Sequence, residues 1–274
     1  MDFACYLPTN GRPIDDVTAD IVRLEDLGYV SAWIADHLFI DNGNGRNAAH
    51  DPLIQLAHAA ANTSRIGLGT LVLGAPFRPV WQLAREATAL ADASGGRYIL
   101  GLGAGWHKPE FDAFSIPFDH LVSRLEEQVA ALKPLLAGER VDREDRYQRL
   151  QDASVFQSAP PPPLWIAGKG PRMLKLAARE AAGWNLAWGG ADPAWCREVL
   201  DAFRRELEAA KRPEVTTSLG IGIPYGATDE EIADIGDAYR KTGIDLLIMV
   251  FADHPGAPAN PNLPERAAQA LGLG

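Results

Sequence analysis

Cysteine is scarce in this chain. Only Cys5 and Cys196 occur in 274 residues, far apart in sequence. That spacing supports neither a disulfide framework nor a zinc motif, and it fits a reducing cytoplasm, where the protein is expected to reside. Long apolar runs are missing as well. No window approaches about 20 uninterrupted apolar residues, so no membrane span is expected. The opening Met1-Asp2-Phe3-Ala4-Cys5-Tyr6-Leu7-Pro8 has no basic region ahead of an apolar segment, so no signal peptide is expected. Positive charge is in deficit, with 26 Lys plus Arg against 36 Asp plus Glu and no basic arm. Nucleic acid is therefore not an expected partner, whereas a small molecule is. No internal repeat is evident, and the sole biased tract is Pro160-Pro161-Pro162-Pro163.

What the sequence does have is rhythm. Short apolar, β-branched runs alternate with longer amphipathic stretches, the mark of parallel βα units. The runs predict strands at 3–7, 30–35, 66–73, 97–102, 164–167, 184–188, 216–223 and 246–251. Between them, 3.6-residue periodicity predicts helices, the first set between Pro13 and Gly28. A (β/α)8 TIM barrel in one domain over residues 1–274 accounts for the series, since such barrels hold about 250 residues. An open doubly wound sheet is the other architecture considered. Residues 138–163 break the rhythm with a charged stretch, a weak strand at 154–157 and the four prolines. This reads as an insertion between the fourth helix and the fifth strand, of a length that often serves as a lid or binding loop.

In a barrel the chemistry belongs at the carboxyl ends of the strands. Those ends carry Asp36-His37, Gly74-Ala75-Pro76, Gly103-Ala104-Gly105-Trp106-His107, Gly168-Lys169-Gly170-Pro171 and Trp188-Gly189-Gly190. The rim is rich in glycine and aromatic residues and poor in metal ligands. Asp36 and His37 are adjacent and point to opposite faces, while His107 and His254 lack a second ligand at a convincing spacing, so no metal centre is expected. His37 is the candidate acid or base, because imidazole titrates near neutral pH and a strand end aims it into the mouth of the barrel. A histidine bonded to loop backbone is its plainer reading. Gly168-Lys169-Gly170 before a helix could hold a phosphate, or could be a tight turn. Gly101-Leu102-Gly103-Ala104-Gly105 matches a dinucleotide fingerprint only loosely.

Taken together, these motifs resemble the luciferase-like monooxygenase superfamily. The resemblance rests on Trp33-Ile34-Ala35-Asp36-His37, on Gly67-Leu68-Gly69-Thr70-Leu71-Val72-Leu73-Gly74 with Phe77-Arg78-Pro79, on Gly101 to Trp106 with Glu110-Phe111, and on Trp165 to Pro171 with Gly183-Trp184-Asn185. The pattern is most similar to members that use the deazaflavin coenzyme F420 rather than FMN. The resemblance implies a hydride-transferring oxidoreductase, with homodimers common in the family. It implies that His37 stands close to the reactive ring and the substrate as the catalytic acid/base, or as the group positioning the substrate, and that Asp36 braces His37 or the adjoining backbone. Thr70, Leu71 and Val72 would contact the cofactor, the last two as a bulge, often a non-proline cis peptide, against one ring face. Gly103, Ala104, Gly105 and Trp106 would line its tail or ring edge, and Gly168, Lys169 and Gly170 would bind its phosphate. Relatives that oxidise glucose 6-phosphate carry an acid where Trp106 stands here, so a more apolar substrate pocket is expected, lined by Phe39, Trp106 and Trp188. An FMN-dependent monooxygenase, a non-redox barrel enzyme and a flavin-binding protein are the alternatives. Trp33, Trp165 and Trp184 read as core packing.

Overall fold

The computed structural model describes residues 1–41, 46–188, 192–212, 214–251 and 262–273. Chain order begins with β1 (Asp2–Tyr6), α1 (Ile14–Asp26) and β2 (Ser31–Ile34), then a small hairpin of β3 (Phe39–Asp41) and β4 (Arg46–Ala48). It continues with α2 (Pro52–Asn62), β5 (Gly67–Thr70), β6 (Leu73–Gly74), α3 (Val80–Ala93), β7 (Tyr98–Gly103), α4 (Lys108–Ala113) and α5 (Leu121–Leu136). After the hairpin of β8 (Val141–Glu144) and β9 (Arg149–Ala153) come β10 (Leu164–Ala167), α6 (Pro171–Glu180), β11 (Gly183–Trp188) and α7 (Pro193–Ala210). β12 (Thr216–Gly222), α8 (Asp229–Arg240), β13 (Leu246–Val250) and α9 (Leu263–Leu271) complete the series.

The strands pair in parallel in the order β10, β11, β12, β13, β1, β2, β5, β7, and a further pairing of β10 with β7 closes the ring. β6 carries β5 onward alongside β7, so the closed sheet is the expected (β/α)8 barrel. Helix boundaries follow the sequence signals. Pro13 precedes α1, Asp15 and Asp16 sit in its first turn where the helix dipole favours acids, and Gly28 takes a φ of +85° just past its end.

Alternation along the strands divides two cores. Phe3, Cys5 and Leu7 face the helices, while Ala4 and Tyr6 face the barrel axis with Trp33, Trp165, Leu246, Ile248 and Val250. Two large indoles fill the lower interior, with ring centroids 4.9 Å apart. Glycine makes room for them. A Cβ on Gly69 would stand 2.2 Å from the Trp33 ring, and one on Gly183 would stand 2.2 Å from the Trp165 ring. Trp184 packs outside the barrel, stacked on Phe203 at 4.2 Å. All three tryptophans are buried.

The insertion corrects one expectation. Residues 154–157 form no regular strand. Instead, β8 and β9 pair antiparallel within the charged stretch, with Glu144 opposite Arg149. The charges are used within the turn: Arg143 donates to Asp145 at 2.8 Å, and Asp145 N–H donates to the Gln148 carbonyl at 3.0 Å. Tyr147 N–H donates to Glu127 of α5 at 2.9 Å, which docks the hairpin on the barrel wall. The short α4 and the β3–β4 hairpin were likewise not legible from periodicity, being too brief to show one.

Candidate active site

At the carboxyl ends of the strands the barrel opens into a cavity of about 510 Å³, lined mostly by apolar groups. Its walls include Tyr6, His37, Ile40, Leu71, Val72, Gly103 to Trp106, Glu110, Gly168, Met173 and Asn185. A larger hollow of about 710 Å³ lies on the outer surface of α3, around Trp81, Arg85 and Phe156. It is remote from the strand ends, so the barrel mouth is the chemical candidate.

His37 follows β2 and is half-buried in the cavity wall. Its Nδ1 lies 3.2 Å from Oε2 of Glu110, whose side chain is only 2% exposed. The other carboxylate oxygen accepts the backbone N–H of Leu38 at 2.5 Å and of Phe39 at 3.3 Å. Burial alone would raise the Glu110 pKa, but the hydrogen bond and charge of His37 and those two N–H groups hold it below the usual glutamate range. Beside an ionised carboxylate, Nδ1 of His37 must carry the hydrogen. In neutral His37 the lone pair is then on Nε2, the nitrogen left to a ligand. His107 approaches the same Oε2 with its own Nδ1, also at 3.2 Å. His107, for which the sequence offered no second ligand at a convincing spacing, thus shares this oxygen with His37. His107 and Glu110 stand three residues apart at the start of α4, which puts them on one face.

Asp36, expected to brace His37 or the adjoining backbone, also borders the cavity. Among the described residues its carboxylate bonds Arg78 at 2.5 and 3.3 Å and the N–H of Gly74 at 3.2 Å, with no contact to His37. Neighbouring residues of an extended segment project to opposite sides, so His37 enters the cavity while the Asp36 carboxylate meets the arginine. Arg78 also pairs with Asp51, the N-cap of α2. Burial pushes the Asp36 pKa up, opposed by Arg78; burial works against the Arg78 charge, but Asp36 and Asp51 hold the guanidinium protonated. The pair ties three strand-end segments together.

The peptide between Leu71 and Val72 is cis, and both side chains line the cavity. Val72 presses toward the neighbouring strand so closely that a Cβ on Gly103 would lie 2.5 Å from its Cγ2. Ala104, Gly105 and Trp106 continue this wall, with Gly105 at φ +86°. Trp106 is 72% exposed and meets His37 edge-on at 5.7 Å. Thr70 is fully buried and lies off the cavity, its hydroxyl bridging the N–H and carbonyl of Gly101 at 2.9 and 3.0 Å. Phe39 is buried against His107 and Phe114, behind Ile40, which takes the lining position. Gly168 lines the cavity at φ +136°, whereas Lys169 and Gly170 are exposed at the start of α6, with the Lys169 ammonium 5.1 Å from the Trp195 ring. The side chain of Trp188, and His254, lie outside the described residues. Glu110, Arg78 and His107 were not named as site residues from the sequence, although Arg78 and Glu110 stood in the motifs of the resemblance and His107 and Glu110 share an i, i+3 spacing.

Comparison with known proteins adds kinship. Residues 1–271 match the family model described as luciferase-like monooxygenase. An F420-dependent glucose-6-phosphate dehydrogenase of Kineococcus radiotolerans is 35% identical over 198 residues, covering 70% of this chain and 58% of that protein. The chain thus matches less than two thirds of that relative's length. A monooxygenase from Streptomyces bottropensis shares the fold with a TM-score of 0.82 at 22% identity, over 100% of this chain and 97% of the other. So does an F420-dependent secondary alcohol dehydrogenase in complex with an F420–acetone adduct, with a TM-score of 0.83 at 14% identity, over 98% of each chain. Among the described residues, no helix is long and apolar enough to cross a membrane.

Proposed function

The chain belongs to the luciferase-like monooxygenase family, and from that premise we propose that it is an F420-dependent oxidoreductase moving a hydride between the deazaflavin and a small, fairly apolar organic substrate. The observation that carries the reading is His37, held by Glu110 at 3.2 Å with Nε2 left to the apolar cavity at the strand ends. The F420 dependence named for the Kineococcus radiotolerans relative supports the choice of cofactor.

The residues present fit such a group. Leu71 and Val72 offer a flat apolar face, and Gly103 to Gly105 let the main chain approach a ring edge. Gly168, Lys169 and Gly170 precede α6, whose first turn carries no acid, so an anionic tail would meet a lysine and free helix N–H groups there. When bound, the deazaflavin supplies the hydride donor or acceptor. His37 accepts the proton of a substrate hydroxyl at Nε2, or returns it in the reverse direction. Glu110 fixes the tautomer and stabilises the imidazolium that results. Trp106 covers the outer side, and the apolar walls exclude water. Trp106 stands where relatives that oxidise glucose 6-phosphate carry an acid, and the apolar surface it adds beside His37 speaks against that substrate.

Fluorescence titration of the anaerobic apo-protein with F420 and, separately, FMN tests the reading. Saturable F420 binding with weak FMN binding supports it. The reverse preference transfers the protein to FMN-dependent monooxygenation, and binding of neither removes the redox assignment.

A further inference from the structure

His107 takes no part in the reaction proposed above, yet it shares an oxygen with the residue that does. Nδ1 of His37 and Nδ1 of His107 each lie 3.2 Å from Oε2 of Glu110. The three donor atoms all fall within 4.8 Å of one another. Donors held on one ion at about 2.0–2.2 Å stand about 3.3–3.6 Å apart in a tetrahedron, so small rotations of two half-buried rings bring these atoms to ligand spacing. We infer that His37, His107 and Glu110 form a binding site for a divalent transition-metal ion of the Zn2+ or Co2+ kind.

The donor set decides the class of ion. Two imidazoles and one carboxylate suit Zn2+, Co2+ or Ni2+, whereas Mg2+ and Ca2+ demand an all-oxygen shell. The carboxylate is aimed as a ligand must be, because Leu38 and Phe39 N–H groups hold its Oε1 and leave Oε2 toward the rings. The neighbouring cation is directed elsewhere: the Lys108 ammonium pairs with Asp112 at 2.6 Å. Partial exposure of both histidines provides an entry path.

Occupancy would change what His37 presents to the cavity. An ion on Nδ1 displaces its proton, and the neutral ring then carries hydrogen on Nε2. The cavity-facing nitrogen turns from acceptor to donor, so a bound ion opposes proton abstraction there.

The test uses the apo-protein and Co2+ alone, followed by visible d–d absorption, with Zn2+ as competitor. One Co2+ per chain, displaced by Zn2+, is expected. His107→Ala should weaken binding at least about tenfold, and His107→Gln, which keeps the side-chain bulk, should do the same. His107 makes no side-chain capping bond, so neither variant removes a helix cap. His58→Ala, which alters a surface histidine 3.6 Å from Asp15, should bind as the wild type does. Absence of saturable binding, wild-type binding by both His107 variants, or equal loss in His58→Ala would overturn the assignment. No F420 is present, so this result and that of the cofactor titration are independent.

Discussion

One carboxylate of Glu110 spans two structures: Oε1 takes the Leu38 N–H at 2.5 Å, and Oε2 faces Nδ1 of His37 at 3.2 Å. The main chain leaving β2 and the imidazole it carries are therefore set by a residue from a helix more than seventy positions later.

This arrangement separates two effects in the reaction proposed. His37→Ala is expected to lower turnover by about 10²–10⁴-fold, the usual contribution of a positioned acid or base, while F420 affinity changes little. Glu110→Gln should lower turnover less and shift its pH profile, because the tautomer is no longer enforced. Steady-state kinetics beside fluorescence titration check both. A parallel loss of turnover and cofactor affinity would remove His37 from the chemistry.

Stability should respond to acid through the same carboxylate. The folded Glu110 pKa is depressed, so its contribution is present above the ordinary value of about 4.3 and is lost as pH falls through the folded value. Glu25 behaves alike: burial raises its pKa, but N–H groups of Ile66, Arg65 and Ser64 bring it below the ordinary range. Asp36, raised by burial, acts in the opposite sense. Urea unfolding between pH 3 and pH 6 (about that range) should show a shallower pH slope for Glu110→Gln and Glu25→Gln than for wild type. An unchanged slope in both would refute the prediction.

The Asp36–Arg78 pair predicts strong coupling. Removing one partner from a buried pair costs about 3–5 kcal/mol, because the other charge is left uncompensated. Asp36→Ala and Arg78→Met should each be severe, and the double variant much less destabilised than their sum. Denaturant midpoints for the four proteins complete the cycle; additivity would show that the two side chains act separately.

Gly69 and Trp33 make a packing test deep in the barrel. A methyl at Gly69 would lie 2.2 Å from the Trp33 ring, so Gly69→Ala should cost about 1–3 kcal/mol by overpacking. Trp33→Phe should partly restore a chain already carrying that alanine. Failure of the second change to improve thermal stability would place the strain elsewhere.

The barrel was legible because its strands and helices are long enough to display a period. Phe3, Cys5 and Leu7 alternate with Ala4 and Tyr6, and Pro13 and Gly28 punctuate α1. His37 was legible because strand ends meet at one rim. Its partner was not: the family resemblance offered Asp36, while the carboxylate beside His37 in space is that of Glu110. Thr70 and Phe39 do not themselves line the cavity; their neighbours Leu71 and Ile40 do. Thr70 spends its hydroxyl on Gly101, and Phe39 packs against His107 and Phe114. The pairing of β8 with β9 was hidden because its side chains are charged on both faces.

The walls around His37 come largely from β2, the Leu71–Val72 peptide, β7 and α4, all within the first 113 residues, while Gly168, Met173 and Asn185 supply the opposite side. On the function proposed, the proton-transferring group and the loop that would hold the cofactor's phosphate fall in separate passages of sequence. Variation in one can retune which molecules react without disturbing the grip of the other. A library confined to Ile40 would, on the function proposed, vary the substrate side of the cavity while leaving Leu71, Val72, Gly103 and Gly168 in place.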